Sequence, residues 1–143
     1  MNNMLKKATV ILYNYYKNFT IQGGMLMIKG IGTDIIEIQR ISSASESFFK
    51  RIFTSKEMQY FHGRNYEVLA GSFAVKEAVA KALGTGFRGF SPKDIEVLRD
   101  DLGKPYVILY ENARSLFEQL NGTAVFVSIS HNKSNAVGFA VIE

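Results

Sequence analysis

The apolar positions along the chain change period several times. Ile28-Lys-Gly-Ile-Gly-Thr-Asp-Ile-Ile36 is β-branched and apolar and predicts a buried strand with Asp34 near its end. From Glu37 to Ser47, Ile38, Ile41 and Ala44 fall at helical spacing. Phe48 to Phe53 is a short amphipathic piece, and Thr54-Ser-Lys-Glu57 has the capping-box pattern that opens a further helix through Tyr60 or Phe61. The longest helical segment begins at Asn65 or Tyr66 and stops at Gly84. Phe73, Val75, Ala78, Val79, Ala80, Ala82 and Leu83 suit a buried helix, yet Glu77 and Lys81 lie among them, four residues apart and so on one face.

Beyond Gly89 the pattern becomes strands and turns. Asp94 to Arg99 alternates around Ile95 and Val97, Asp100 to Gly103 is a turn, and Tyr106 to Tyr110 reads as the partner strand. Asn112 to Leu120 is a helix with Ala113, Leu116, Phe117 and Leu120 on its apolar face, closed by Asn121-Gly122. Val125 to Ser130 and Ala136 to Ile142 form a hairpin through His131 to Asn135. The mix is α+β, an antiparallel sheet packed against the long helix, and 143 residues suit one domain with one substantial core.

Composition narrows the function classes. The chain has no cysteine, which removes disulfides and thiolate metal sites and fits a reducing, cytoplasmic setting. No segment approaches the roughly 18 apolar residues of a membrane span. The net charge is +4, but Lys6, Lys7 and Lys17 lie in residues 1–26, which hold no acid. Residues 27–143 keep 14 basic against 13 acidic side chains, so nucleic-acid binding is poorly supported. Residues 1–26 begin like a signal peptide, but Asn14, Lys17 and Asn18 interrupt the apolar run and no cleavage site follows. Gly23-Gly24 before Met25 and Met27 suggests a translated ribosome-binding site. Residues 1–26 are therefore expected to be an extension, and 27–143 the domain.

A Lys-Glu pair on a mostly apolar helix costs desolvation energy and asks for a partner or a role. Asp34, in an apolar strand, and Glu77 together suit a hard cation such as Mg²⁺, which takes few protein carboxylates and keeps positions open for phosphate oxygens. Lys81, one turn along, suits a phosphate or a developing charge. Gly84, Thr85 and Gly86 offer flexible backbone amides just past the helix, and Ser130 and His131 offer polar groups at a strand end. Taken singly, Asp34 also reads as a cap or ion-pair partner, and His131 as a surface-turn histidine.

Ile31-Gly-Thr-Asp-Ile-Ile-Glu37, Phe53-Thr54 with Glu57, Phe73-Ala-Val-Lys-Glu-Ala78 with Lys81, Gly103-Lys-Pro105 and Ser128-Ile-Ser-His131 occur in that order. Together they resemble the holo-acyl-carrier-protein synthase family of 4′-phosphopantetheinyl transferases, over roughly all of 27–143. The resemblance implies the phosphopantetheinyl transferase fold. It implies transfer of the phosphopantetheine arm of coenzyme A, the co-substrate, to a serine of apo-acyl carrier protein, with release of adenosine 3′,5′-bisphosphate. It implies that Asp34 and Glu77 hold Mg²⁺, that Glu77 or a metal-bound water takes the serine proton, and that Lys81 stabilises charge on the transferred phosphate. Gly84, Thr85, Gly86, Lys104, Pro105, Ser130 and His131 are expected near the nucleotide part of coenzyme A. Arg40, with Lys50 and Arg51, is expected to meet the acidic carrier protein. A homotrimer with sites at the subunit junctions is also implied.

The sequence departs from the family at Ser72, where arginine is usual and serine cannot grip a phosphate in bidentate fashion. Lys76 or Arg88 is expected to compensate, or coenzyme A to bind more weakly. The departure also leaves open a non-catalytic module that binds coenzyme A or the carrier protein.

Overall fold

Two glycines on one face of a strand leave a groove with no side chain in it, and a helix with alanine every fourth residue fits that groove. This contact organises the fold. In the computed structural model the described residues are 27–60 and 65–143, so the expectation for 1–26 and the choice of Phe61 as a helix end lie outside them. The helices are α1 (Ile38–Ser42), α2 (Glu46–Ile52), α3 (Ser55–Tyr60), α4 (Tyr66–Ala82) and α5 (Glu111–Gln119). The strands are β1 (Gly30–Glu37), β2 (Ile95–Arg99), β3 (Pro105–Leu109), β4 (Val125–His131) and β5 (Asn135–Ile142). All pairing is antiparallel, as expected, but it is divided between a three-stranded sheet ordered β1-β5-β4 and a separate β2-β3 hairpin.

The expected helix over Glu37–Ser47 is broken. Glu37 remains in β1, α1 ends at Ser42, and Ser45 caps α2 by accepting the Phe48 N–H at 3.2 Å. Consecutive serines offer the backbone local partners and so favour a stop and a new cap over a continuous helix. The capping box forms as read: the Thr54 N–H donates to Glu57 Oε2 at 2.7 Å, and the Glu57 N–H to Thr54 Oγ1 at 3.2 Å. Asn65 caps α4, its side chain accepting the Val68 N–H at 3.3 Å.

Helix α4 lies across β1 and β5. A Cβ added at Gly30 would come within 2.0 Å of the Ala82 carbonyl oxygen, and one at Gly32 within 1.9 Å of that of Ala78. One at Gly138 would stand 2.3 Å from the Ala74 carbonyl carbon. Ala74, Ala78 and Ala82 recur every four residues and form one ridge. Val75, Val79, Ile95, Val97, Ala140 and Ile142 fill the core on one side of this contact. Ile36, Ile41, Ile52, Phe53, Leu69 and Ala136 fill it on the other.

The reverse face of the three-stranded sheet carries the alternate residues and is uncovered among the described residues. Ile31, Ile35, Phe126 and Phe139 lie there at 59%, 65%, 52% and 41% exposure. No helix among the described residues is long and apolar enough to cross a membrane.

Gly32→Ala is expected to cost about 3 kcal/mol or more, because the added methyl meets helix backbone that has no rotamer to change. Urea denaturation measures it; a loss under about 1 kcal/mol would mean the helix shifts freely on the strand.

Candidate active site

The glycine-alanine contact fixes which side chains of β1 and α4 meet. Asp34 shares a face of β1 with Gly30 and Gly32, so its carboxylate points toward α4. Glu77 and Lys81 stand beside the alanine ridge, on the flank of α4 nearest β1. Lys81 Nζ donates to Asp34 Oδ1 at 2.8 Å and to the Thr33 carbonyl at 2.9 Å. Asp34 is the more enclosed partner, with 18% of its side chain exposed against 48% for Lys81. Partial burial is the largest influence on Glu77 and pushes its carboxyl above the ordinary carboxylate range. The nearby Asp34 charge adds to that rise and Lys81 opposes it. Asp34, Glu77 and Lys81, proposed from the sequence as one set, are therefore brought together.

Asp34 and Glu77, near enough for the Asp34 charge to raise the Glu77 carboxyl, are oxygen donors of the kind a hard divalent cation takes, and no group of three or more His, Cys, Asp or Glu stands among the described residues. Such a pair leaves coordination positions for phosphate oxygens and water, as Mg²⁺ requires.

The loop after α4 has a different role from the one its glycines suggest. The Gly84 N–H donates to the Lys81 carbonyl at 2.9 Å and the Gly86 N–H to that of Ala80 at 3.0 Å. Both glycines have positive φ, 87° and 58°, which this C-terminal cap needs. Those two amides are occupied by the helix end and are not free donors for a phosphate. The loop still exposes cationic Arg88, whose Nε donates to the Thr85 carbonyl at 3.0 Å. Thr85 Oγ1 itself donates to the Gly86 carbonyl.

The remaining expected contacts do not converge with this trio within one chain. Lys104 and Pro105 lie at the tip of the β2-β3 hairpin, paired against Arg99 and the Asp100 turn. Strand β2 runs along α4 toward its N-terminal half: Ile95 meets Lys76, and Arg99 meets Ser72. The tip therefore points away from Lys81. Ser130 lies opposite Val137, on the uncovered face of the sheet, and His131 is exposed at the strand end. Arg40, Lys50 and Arg51 are all on the surface, and Lys50 pairs with Glu46 at 2.6 Å.

Lys76 is not the compensating base. It is fully buried, with its ammonium 2.9 Å from Glu57 Oε1 and donating to the carbonyls of Pro92 and Ile95. Burial pulls its pKa below the usual lysine range, and Glu57 only partly offsets this. Glu57 also accepts the Val97 N–H at 2.9 Å. Next to it, Glu96 accepts from Thr54 Oγ1 at 2.6 Å and from the Tyr110 hydroxyl at 2.9 Å. No buried side-chain nitrogen or oxygen among the described residues lacks a partner. Nothing local at Glu57 announces this network, because the capping box already accounts for that residue. The available signal was Lys76 itself, a charge amid alanines and valines on the helix flank away from Glu77.

The base beside Ser72 is Arg99, whose guanidinium donates to Ser72 Oγ at 3.4 Å. Ser72 is wholly buried, so a larger cation introduced at that position would meet Arg99 first.

A family model described as the 4′-phosphopantetheinyl transferase superfamily matches residues 30–136. A holo-(acyl-carrier-protein) synthase of Clostridium botulinum is 54% identical over 122 residues, covering 82% of this chain and 98% of that protein. One from Clostridium perfringens is 53% identical over 126 residues, covering 82% and 95%. The solved holo-(acyl-carrier-protein) synthase of Neisseria meningitidis superposes with a TM-score of 0.73 at 39% identity, covering 82% of this chain and 99% of that one. The Bacillus anthracis structure, a complex with CoA, gives 0.68 at 42% identity over 82% and 98%.

A carboxyl that holds its proton more tightly when folded than unfolded lowers stability as pH rises from the unfolded value through the folded one. Glu77→Gln is therefore expected to raise the melting temperature near pH 7.5 and to leave it unchanged near pH 4, where the unfolded carboxyl is itself largely protonated. An equal change at both pH values, read by differential scanning calorimetry, would remove the electrostatic explanation.

Proposed function

The chain belongs to the 4′-phosphopantetheinyl transferase superfamily, and on that premise we propose that it acts as a holo-acyl-carrier-protein synthase. It takes the phosphopantetheine arm from coenzyme A and attaches it to a serine hydroxyl of an apo-acyl carrier protein. The serine oxygen forms a bond to the phosphorus next to the arm as the bond from that phosphorus to adenosine 3′,5′-bisphosphate breaks. The observation that carries this reading is the single set formed by Asp34, Glu77 and Lys81 across β1 and α4.

Asp34 and Glu77 are the residues that would hold Mg²⁺. Bound there, the ion would neutralise charge on the diphosphate and orient it. Glu77, whose carboxyl has a raised proton affinity, is suited to accept the serine proton. Lys81 supplies an ammonium for the transferred phosphate or the leaving group. Arg88 is a candidate for the nucleotide phosphates, from the loop that Gly84, Thr85 and Gly86 form.

Two further features support association between copies of the chain, and the family resemblance puts their number at three. The sheet face that the described residues leave open exposes Ile31, Ile35, Phe126 and Phe139 together, the kind of apolar patch that marks an interaction surface. Lys104, Pro105, Ser130 and His131, remote from the trio in one chain, would be supplied to a neighbour's site. On the outside, Arg40 and Arg51 offer positive charge to an acidic carrier protein, with Lys50 partly neutralised by Glu46. Residues 27–143 are read as the transferase domain, and the absence of cysteine fits the cytoplasm.

Incubation with apo-acyl carrier protein, coenzyme A and Mg²⁺ is expected to add one phosphopantetheine to the carrier, and EDTA to prevent it. Intact-mass spectrometry reads both. Asp34→Ala should lower the rate by about 100-fold or more while the protein stays folded. No mass gain with the folded wild-type protein would remove the enzymatic reading. By light scattering the protein is expected to have the mass of three chains, and Ile35→Lys to dissociate it. A monomeric wild type would end the trimer reading.

A further inference from the structure

We propose that Lys81 is the resident counter-ion of Asp34, and that a divalent cation displaces its ammonium from that carboxylate and so releases it toward the substrate phosphate. This rests on the reading of Asp34 and Glu77 as the residues that hold the cation. Both acceptors of Lys81 belong to β1: Asp34 Oδ1 at 2.8 Å and the Thr33 carbonyl at 2.9 Å. A magnesium-type ion sits about 2.1 Å from a carboxylate oxygen. On that same oxygen it would stand no more than roughly 5 Å from the ammonium, a doubly and a singly charged cation with little water between them. With 18% of its side chain exposed, Asp34 gives the two cations little room to share it.

The ammonium is also the group that can move. Nearly half of the Lys81 side chain is exposed, and it leaves the last turn of α4 on a flexible four-carbon stem. Helix α4 cannot follow, because its backbone rests on Gly30, Gly32 and Gly138. The exchange is therefore confined to one side chain. It links two events: the cation takes Asp34, and the positive charge that had neutralised Asp34 becomes available to the phosphate. Coenzyme A would then meet an armed lysine only where the cation is already in place.

The test measures Mn²⁺ affinity of the full chain by electron paramagnetic resonance, without coenzyme A and at fixed ionic strength. The proteins compared are wild type, Lys81→Met and Lys81→Arg. Removing the competing charge is expected to tighten Mn²⁺ binding by about tenfold or more in Lys81→Met. Lys81→Arg keeps the charge and should stay near wild type. In a parallel Mg²⁺ titration, the Lys81 ε-methylene NMR signal, identified by its loss in Lys81→Met, should shift as the ion binds. Equal or weaker Mn²⁺ binding in Lys81→Met would overturn the exchange; if Asp34→Asn still abolished binding, the cation site itself would stand. Mn²⁺ binding indifferent to both Asp34→Asn and Glu77→Gln would overturn the cation site and the exchange with it.

Discussion

The site depends on one contact made without side chains. Helix α4 touches β1 and β5 through its own backbone at Ala74, Ala78 and Ala82, where the sheet offers Gly138, Gly32 and Gly30. Ordinary helix-on-sheet packing is cushioned by interlocked side chains that adjust to one another. Here the spacing is set by the chain itself, and the adjacent positions Asp34, Glu77 and Lys81 inherit it. Lys81 reaches Asp34 at 2.8 Å across two elements that are held close by residues that do no chemistry. A site so placed needs few polar contacts of its own to keep its geometry.

Helix α4 is charged on two flanks with opposite fates. On one, Lys76 and Glu57 are enclosed, and Lys76 is further held by backbone carbonyls. On the other, Lys81 and Asp34 remain in reach of water, and Glu77 is only partly enclosed. Replacing one partner of the enclosed pair would leave a buried charge unmatched, at a cost of about 3 to 5 kcal/mol. The open pair makes a smaller contribution to stability and stays adjustable. Adjacent residues 76 and 77 thus serve the fold and the site respectively, separated by about 100° of helix rotation.

Much of this was legible in the sequence, and the parts that were not share a cause. Periodicity located α4, the β4-β5 hairpin and the α3 cap, because local pattern determines them. It ran one helix through Ser43 to Ser45, where serine hydroxyls and the Ser45 cap divide it. The trio was found because its members are charged residues in apolar settings. The buried network was missed because Glu57, Glu96 and Lys76 come together only when α3, β2 and α4 assemble. Likewise, Gly84 and Gly86 look like free amides until the helix end claims them. The complementary spacing of glycines in β1 and alanines in α4 was written in the sequence, yet nothing local says that the two face each other.

The enclosure of Lys76 has a chemical consequence. Every other lysine among the described residues is exposed to solvent, so each is open to reaction with aldehydes, acyl donors and other electrophiles. Lys76 is nucleophilic only when neutral, and its surroundings admit no reagent large enough to carry an acyl group. Its modification must wait until α3 and the β2 hairpin separate from α4. The extent of labelling at this amine is thus a record of how often the molecule has opened, while labelling at Lys133, exposed in the β4-β5 turn, records collision with solvent. One chain therefore carries a register of its own unfolding and a register of its surface.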